Sequence, residues 1–511
     1  MTSSTEKISP EKSSIVDVSS IAADSLSQRD LEKDSSFILN TPEAEEEIKR
    51  AVRKLDLTVI PVMTLFYFLS FLDRANIGNA RVAGLQKDLH MSDHQYSIAV
   101  TVTYIPYILS ELPSNLLLRK VGPNIGMPIL LTIWGTIVTL QGLTSSFSGL
   151  AVARAFLGLV EGPMFPGIVL YLSGFYTRKE LSVRIAFFFS SASLSGAFSG
   201  LLAAAISNLN GVGGKHAWSW IFFIEGLFSV AVGIVSFWLV PKTPRHSKFL
   251  TDHQKDLIMA RLAADRPFTN PLDAFSFKYV ARAFKSVHVW LMFIVYFMGG
   301  TNLYGLALFL PSIVKQLGHS ANRSQLLSVG PFAVGFVFTV FAAWCSDRIR
   351  SRSIPLVIIL IPAVVGYSMF LGTSDKSVSY AALYLMVPGI YATTPVISAW
   401  ISNNSEPHYT RATSIALGFV STNLGGILST WLYPSVKGPR FHSTTILNLV
   451  FSIGMMAVGL VNAAWLHYQN KQKERNRAQI LAPYASSVEP DGGVKAWVEL
   501  GDSHPDFKYI L

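Results

Sequence analysis

LTVIPVMTLFYFLSFLDRANI, residues 57–77, decides the fold class. Apart from Asp73 and Arg74 near its end the stretch is uncharged and largely apolar. A helix needs about 20 such residues to cross a hydrocarbon core roughly 30 Å thick. Eleven further stretches of this kind follow, at about 95–118, 125–144, 149–173, 183–206, 218–240, 288–311, 325–346, 354–372, 379–402, 411–432 and 444–468. Several contain Gly or Pro, as at Pro163, Pro166 and Gly167, breaks that membrane helices tolerate where neighbours satisfy the freed backbone groups. Repeated short alternating runs are absent, which argues against an outer-membrane barrel. The expected fold is all-α, with twelve transmembrane helices in two bundles of six.

Composition agrees. Half of the 511 residues are hydrophobic and 14% are charged, against about 25% in a soluble domain. The charge is gathered in the two tails, one central stretch and short connectors. Residues 1–50, rich in Ser, Glu, Asp and Lys, read as a disordered tail. Residues 51–240 form the first six-helix bundle, 241–287 a central loop, 288–468 the second bundle, and 469–511 a C-terminal tail. With the N-terminus inside, Lys and Arg number 32 in the cytoplasmic segments and 8 in the outer loops. This bias places both termini in the cytoplasm. It also accounts for the net charge of +10 without a nucleic-acid partner. Cys345 stands alone, which excludes an internal disulfide framework or a CxxC site. The histidines show no metal-ligand spacing. GVGGKH (211–216) lacks the first Gly and the Ser/Thr of a P-loop, so no ATP site is expected.

Six plus six helices around a basic central loop is the organisation of secondary transporters built from related bundles, with the substrate at midplane. LLLRKVGPN after helix 2 and CSDRIRSRS after helix 8 echo each other as short basic connectors in corresponding positions. Ionisable residues inside a membrane are costly and mark function by default. Asp73 and Arg74 in helix 1, Glu111 in helix 2, Arg154 and Glu161 in helix 4 and Glu225 in helix 6 all fall in the first bundle. Arg154 and Glu161, seven apart, share one helix face. Asp73 and Arg154 share a layer in the outer half and are expected to pair, leaving Arg74 for a ligand anion. Protonation of an acid would then free its arginine partner, which is the logic of a proton-coupled anion site. Glu111 and Glu225 lie nearer helix ends and read as gating residues, as do Asp347 and Arg348 at the inner end of helix 8. In the second bundle Asn302, Tyr304, Tyr391 and Thr394 are candidates to complete the cavity. Asn322-Arg323-Ser324 is an outer-side glycosylation triplet.

FLDRANIGNAR (71–81), RAFLGLVEGPMFPGIVLYLSGFY (154–176), WSWIFFIEGL (218–227) and STNLGGI (421–427) resemble the major facilitator superfamily. More closely they are similar to its anion:cation symporter family, in the fungal allantoate permease branch. The resemblance covers about residues 50–470. It implies proton-coupled import of a small carboxylate nutrient or vitamin, of the allantoate, nicotinate or pantothenate kind. It also implies Asp73 and Glu161 as proton sites with Arg154, and Arg74, Tyr107 and Asn423 as substrate ligands. One departure is clear: Arg119 stands where the superfamily's loop pattern after helix 2 has Asp. Export of an organic acid or secondary metabolite is the alternative reading, and a non-transporting nutrient sensor a more distant one. The chain is expected to act as a monomer in the plasma membrane, with the vacuolar membrane as the other location, and to need no cofactor beyond the proton gradient.

Overall fold

The computed structural model describes residues 41–265, 277–349, 351–433, 441–484 and 493–511. Among the described residues twelve helical rods make up the body. The first bundle holds α1 (Pro42–Val82), α2 (Asp93–Val121), α3 (Pro123–Gln141), α4 (Phe147–Glu161 continued by Met164–Ser173), α5 (Arg178–Ile206) and α6 (Ala217–Leu239). The second holds α7 (Val287–Gln316), α8 (Ala321–Ile349), α9 (Ser353–Gly372), α10 (Lys376–Tyr391 continued by Thr393–Asn403), α11 (His408–Leu432) and α12 (His442–Arg475). Among the described residues eleven of these rods are long and apolar enough to cross a membrane. The remaining one, α2, has the length at 29 residues but carries Ser97, Thr101, Thr103, Ser110 and Glu111.

Local chemistry sets the helix ends. The Thr41 side chain accepts from Ala44 N at 3.3 Å, Pro42 opens α1, and Glu43 and Glu45 occupy its first turn, a favourable set for a helix N-terminus. At 41 residues α1 is about 60 Å long, twice the hydrocarbon thickness. Residues 42–50, assigned to the tail from sequence, are therefore the opening turns of α1. Only residues 1–40 of that tail lie outside the described residues. Ser92 and Gln95 form a capping box at the start of α2. The interruptions in α4 and α10 fall beside Pro163 and Ala392.

The two bundles repeat one packing scheme. In the first, α1 packs on α5, α2 on α4 and α3 on α6; in the second, α7 packs on α11, α8 on α10 and α9 on α12. The junction follows the same symmetry, with α5 on α8, α11 on α2 and α1 on α7. An internal repeat of this kind puts a site between the halves. On the outer faces of α3, α6, α9 and α12 stand exposed Ile129, Ile133, Phe228, Trp238, Ile358, Ile361, Ile453 and Leu460. A contiguous apolar belt of this sort fits lipid rather than water.

The central loop contains helices Asp252–Asp265 and Phe277–Lys285. The C-terminal segment turns back onto the second bundle. Asn404 pairs with both backbone groups of Ile510, at 2.8 and 2.9 Å, and Asn470 with both of Tyr509, at 2.9 and 3.0 Å. Arg282 donates to the carbonyls of Glu499 and Leu500. Asp502 is buried there, and burial, opposed by Arg282 and Lys473, pushes its carboxyl up to about 6. Because the docked form holds the proton more tightly than a free Asp, near 3.9, docking is strongest at low pH and weakens as pH rises through about 6. Amide protection of residues 503–511, corrected for intrinsic exchange, is expected to fall by up to roughly a hundredfold between pH 4 and pH 8. Asp502→Asn should flatten that dependence.

Candidate functional site

Ser70 and Arg74, one helical turn apart on α1, converge on one carboxylate oxygen of α4. Ser70 Oγ donates to Glu161 Oε1 at 2.5 Å, and Arg74 Nε donates to the same oxygen at 2.6 Å. Glu161 is fully buried and the Arg74 side chain 11% exposed. The other arm of the guanidinium crosses to the second bundle, where Arg74 Nη1 donates to the Tyr304 hydroxyl on α7 at 2.6 Å. Tyr304 in turn donates to Asn423 Oδ1 on α11 at 3.2 Å. The guanidinium carbon lies 4.7 Å from the ring centroid of Tyr107 and 5.2 Å from that of Phe71, within cation–π range. Arg74, Glu161, Tyr107, Tyr304 and Asn423 thus form one cluster spanning both bundles.

The expected partnership is exchanged. Asp73 and Arg154 do not form the ion pair, and Arg74 is the arginine that does. The reason is helical geometry: Asp73, one residue before Arg74, is turned about 100° away. Asp73 faces Asn76 on its own helix and Ser229 on α6, which donate to its two oxygens at 3.3 and 3.4 Å. Asn76 Nδ2 also donates to Glu225 Oε2 at 2.5 Å. Arg154 is buried over the Phe222 ring, and its Nε and Nη2 have no hydrogen-bond partner among the described residues. Glu225, expected near a helix end as a gate, is buried in this polar layer.

The other candidates are dispersed. Asn302 donates to Met298 O on its own helix at 3.1 Å and does not join the cluster. Tyr391 is buried edge-on against Phe332, and Thr394 is buried without a bond to the cluster. Glu111 is buried, and its Oε2 has no partner among the described residues. The Asp347 side chain lies outside the described residues. Arg348 is exposed over the Trp344 ring, and the neighbouring Arg352 donates to Ser346 at 2.7 Å. Asn322 is exposed in the first turn of α8, while Ser324 of its triplet is buried and donates to Ser320 O.

Two layers enclose the cluster. On the side away from the termini, hydrogen bonds stitch the bundles together: Lys315 Nζ to Val82 O at 3.2 Å, Ser97 to Thr430 O at 3.0 Å, Thr101 with Thr430 at 2.9 Å and Trp431 to Thr101 at 3.2 Å. Nearer the middle, Ser193 donates to Phe332 O at 2.8 Å. On the termini side the cover is apolar, with the Phe165 and Phe419 rings 4.1 Å apart across the bundles. Tyr104, edge-on to Tyr304 at 5.2 Å, completes the wall. Ser70, Tyr104, Phe165 and Phe419 were not candidates from sequence. Ser70 alone had a signal there, its spacing of four from Arg74.

The Major Facilitator Superfamily model matches residues 63–430. An uncharacterized transporter of Schizosaccharomyces pombe is 34% identical over 442 residues, covering 86% of this chain and 88% of that one. The high-affinity nicotinic acid transporter of Saccharomyces cerevisiae is 32% identical over 465 residues, covering 90% and 85%. Among solved structures, a D-xylose–proton symporter aligns with a TM-score of 0.61 at 15% identity, over 80% of this chain and 97% of that one. That likeness concerns the fold, and the sequence relatives carry the kinship. With its repeated six-helix bundles and the family match over most of its length, the chain is a membrane transporter of the major facilitator superfamily, in the fungal permease-like branch.

Proposed function

We propose that the chain imports a small organic anion together with a proton, by alternating access. One observation carries this reading: a buried Arg74–Glu161 pair whose guanidinium also reaches Tyr304 of the other bundle. A substrate carboxylate can take Glu161's place on the planar fork of Arg74, with Tyr304 and Asn423 as neutral ligands from the second bundle. Glu161, deprived of its partner at zero exposure, must then accept a proton, since an unpaired buried carboxylate is costly. Anion and proton therefore enter as a neutral set. The similarity to a nicotinic acid transporter supports a carboxylate-bearing substrate.

The charge bias of the connectors supports cytoplasmic termini. The hydrogen-bonded layer then seals the outer face, and the Phe165–Phe419 contact is the thin inner barrier. The chain works in the plasma membrane as a monomer, driven by the proton gradient and without ATP. Labelled nicotinate and other small carboxylates, offered to a transport-deficient fungal host, test the reading. Uptake of at least one should rise as external pH falls and collapse with a protonophore. Glu161→Gln should lose the pH response while retaining exchange of internal for external substrate. Uptake indifferent to pH and to protonophore in the parent chain would reject proton coupling.

A further inference from the structure

The termini-side half of α10 is hinged at one end and tied at the other. Its helix breaks at Ala392, and Pro395, about one turn on, has no N–H to offer the Tyr391 carbonyl. Beyond the break this half packs on α5 of the first bundle, and Ser398 accepts from Tyr296 on α7 at 3.1 Å. The Tyr296 ring centroid lies 6.1 Å from that of Phe419, the residue that meets Phe165. A swing of the half-helix would therefore loosen the apolar cover on the termini side.

Residues 499–511 tie down its far end. Trp400 Nε1 and Asn404 Nδ2 both donate to Ile510 O at 2.9 Å, and Ile510 N donates to Asn404 Oδ1 at 2.8 Å. Where α10 turns into α11, Asp502 N donates to Glu406 O at 3.3 Å. The same segment is anchored on three other elements. Ser351, just before α9, donates to Leu511 O at 2.9 Å, and Asn470 on α12 holds both backbone groups of Tyr509. Arg282, on the helix Phe277–Lys285, takes the carbonyls of Glu499 and Leu500. Lys473 on α12 is buried beneath the segment and donates to Asp502 O and Phe507 O, its ammonium 3.5 Å from the Tyr509 ring centroid. Trp400 and Asn404 are buried as well. Buried donors matched by main-chain acceptors make a built seat for an extended segment.

We propose that residues 499–511 are a releasable strap. Docked, they hold the hinged half of α10 against α5; released, they let α10 and α11 part from α4 and α5. The bonds named above lie on the second bundle and the helix Phe277–Lys285, so the strap fixes one wall of the mouth without spanning it. The part this movement plays in a transport cycle rests on the alternating-access reading above; the movement itself does not.

Gly501 allows a test from the strap side. Its φ is +52°, and a β-carbon there would stand 2.7 Å from the Glu406 carbonyl oxygen and from Pro407 Cδ. Gly501→Val should therefore undock the strap and leave every residue of the bundles in place. The full chain is studied in lipid nanodiscs without substrate, in a Cys345→Ser background. Spin labels on cysteines at Ser173, ending α4, and Asn403, ending α10, report the width of the mouth by double electron–electron resonance. Amide exchange of residues 503–511 in the same samples reports docking. Losing a few such hydrogen bonds should raise the ratio of long to short distances about tenfold. Asn470→Ala, which frees Tyr509 from α12, should act in the same direction. Glu474→Gln, which removes an exposed pair with Lys508, should change neither readout. An undocked strap with the parent's distances overturns the proposal, and so does a segment that stays protected in Gly501→Val. A mouth that widens in a chain moving no carboxylate keeps the strap and rejects the transport reading. Carboxylate uptake with unmoved distances rejects the strap alone.

Discussion

Arg74→Lys is expected to cut carboxylate uptake by at least about tenfold while leaving a folded protein in the membrane. Arg74 makes two directed bonds from one planar group, Nε to Glu161 and Nη1 to Tyr304, with its face over Tyr107. A lysine keeps the charge, so Glu161 stays compensated. Its single ammonium cannot span both partners or offer a carboxylate a two-pronged fork. Arg74→Ala should do far more damage. Glu161 would remain fully buried with only Ser70 as partner, and breaking a buried pair from one side costs about 3–5 kcal/mol. Uptake measured beside surface expression separates the two outcomes: Lys lowers transport at normal abundance, whereas Ala lowers both. Uptake in Arg74→Lys equal to the parent would remove Arg74 from the proposed substrate site.

The second large effect is expected at Gly78. A β-carbon there would fall inside the van der Waals surface of the Leu308 carbonyl oxygen, at the α1–α7 crossing between the bundles. Backbone cannot yield as a flexible side chain can, so Gly78→Val must part the two helices. Overpacking costs about 1–3 kcal/mol, comparable to the few kcal/mol that separate conformations of a two-state protein. The hydrogen-bonded layer on the side away from the termini, with Lys315 on Val82 and Thr430 on Thr101, should therefore open. Because Cys345 is the sole cysteine, a Cys345→Ser background carrying a reporter cysteine at Thr430 can read this. Labelling by a membrane-impermeant thiol reagent should quicken about tenfold with Gly78→Val, and uptake should fall by a similar factor. Gly158, whose β-carbon would meet Thr103 O within the first bundle, is the contrast. Substitution there should lower stability without exposing the reporter at Thr430.

Much of the architecture was legible in the sequence because hydrocarbon imposes a length and a polarity on every rod. The twelve stretches match the helices to within a few residues at most ends. The main departure is α1, whose polar opening turns carry no hydrophobic signal. The charged residues of the first bundle were legible for the same reason, since charge stands out in an apolar run. Their partnerships were not. Spacing along one helix shows which residues share a face, as with Ser70 and Arg74, but not what stands opposite that face. The exchange of Arg154 for Arg74 opposite an acid, and the turning of Asn302 back to Met298 O, depend on how α1, α4, α6 and α7 are rotated against one another. Glu225 read as a gate because its position along α6 was visible and its bond to Asn76 was not. Tyr107 and Tyr304 do meet at Arg74, and Asn423 joins them through Tyr304, two of the three coming from the bundle with few charges. A tyrosine or asparagine in a helix is unremarkable until a guanidinium faces it.

In the proposed mechanism Arg74 exchanges Glu161 for a substrate carboxylate, and Glu161 then carries the proton. Purified chain in liposomes containing a pH-sensitive dye, with a transported carboxylate added outside, tests it most directly. The parent should acidify the lumen in step with anion entry, and Glu161→Gln should show neither acidification nor net entry while still exchanging substrate. Anion entry without proton movement in the parent, or acidification in Glu161→Gln equal to the parent's, would contradict it.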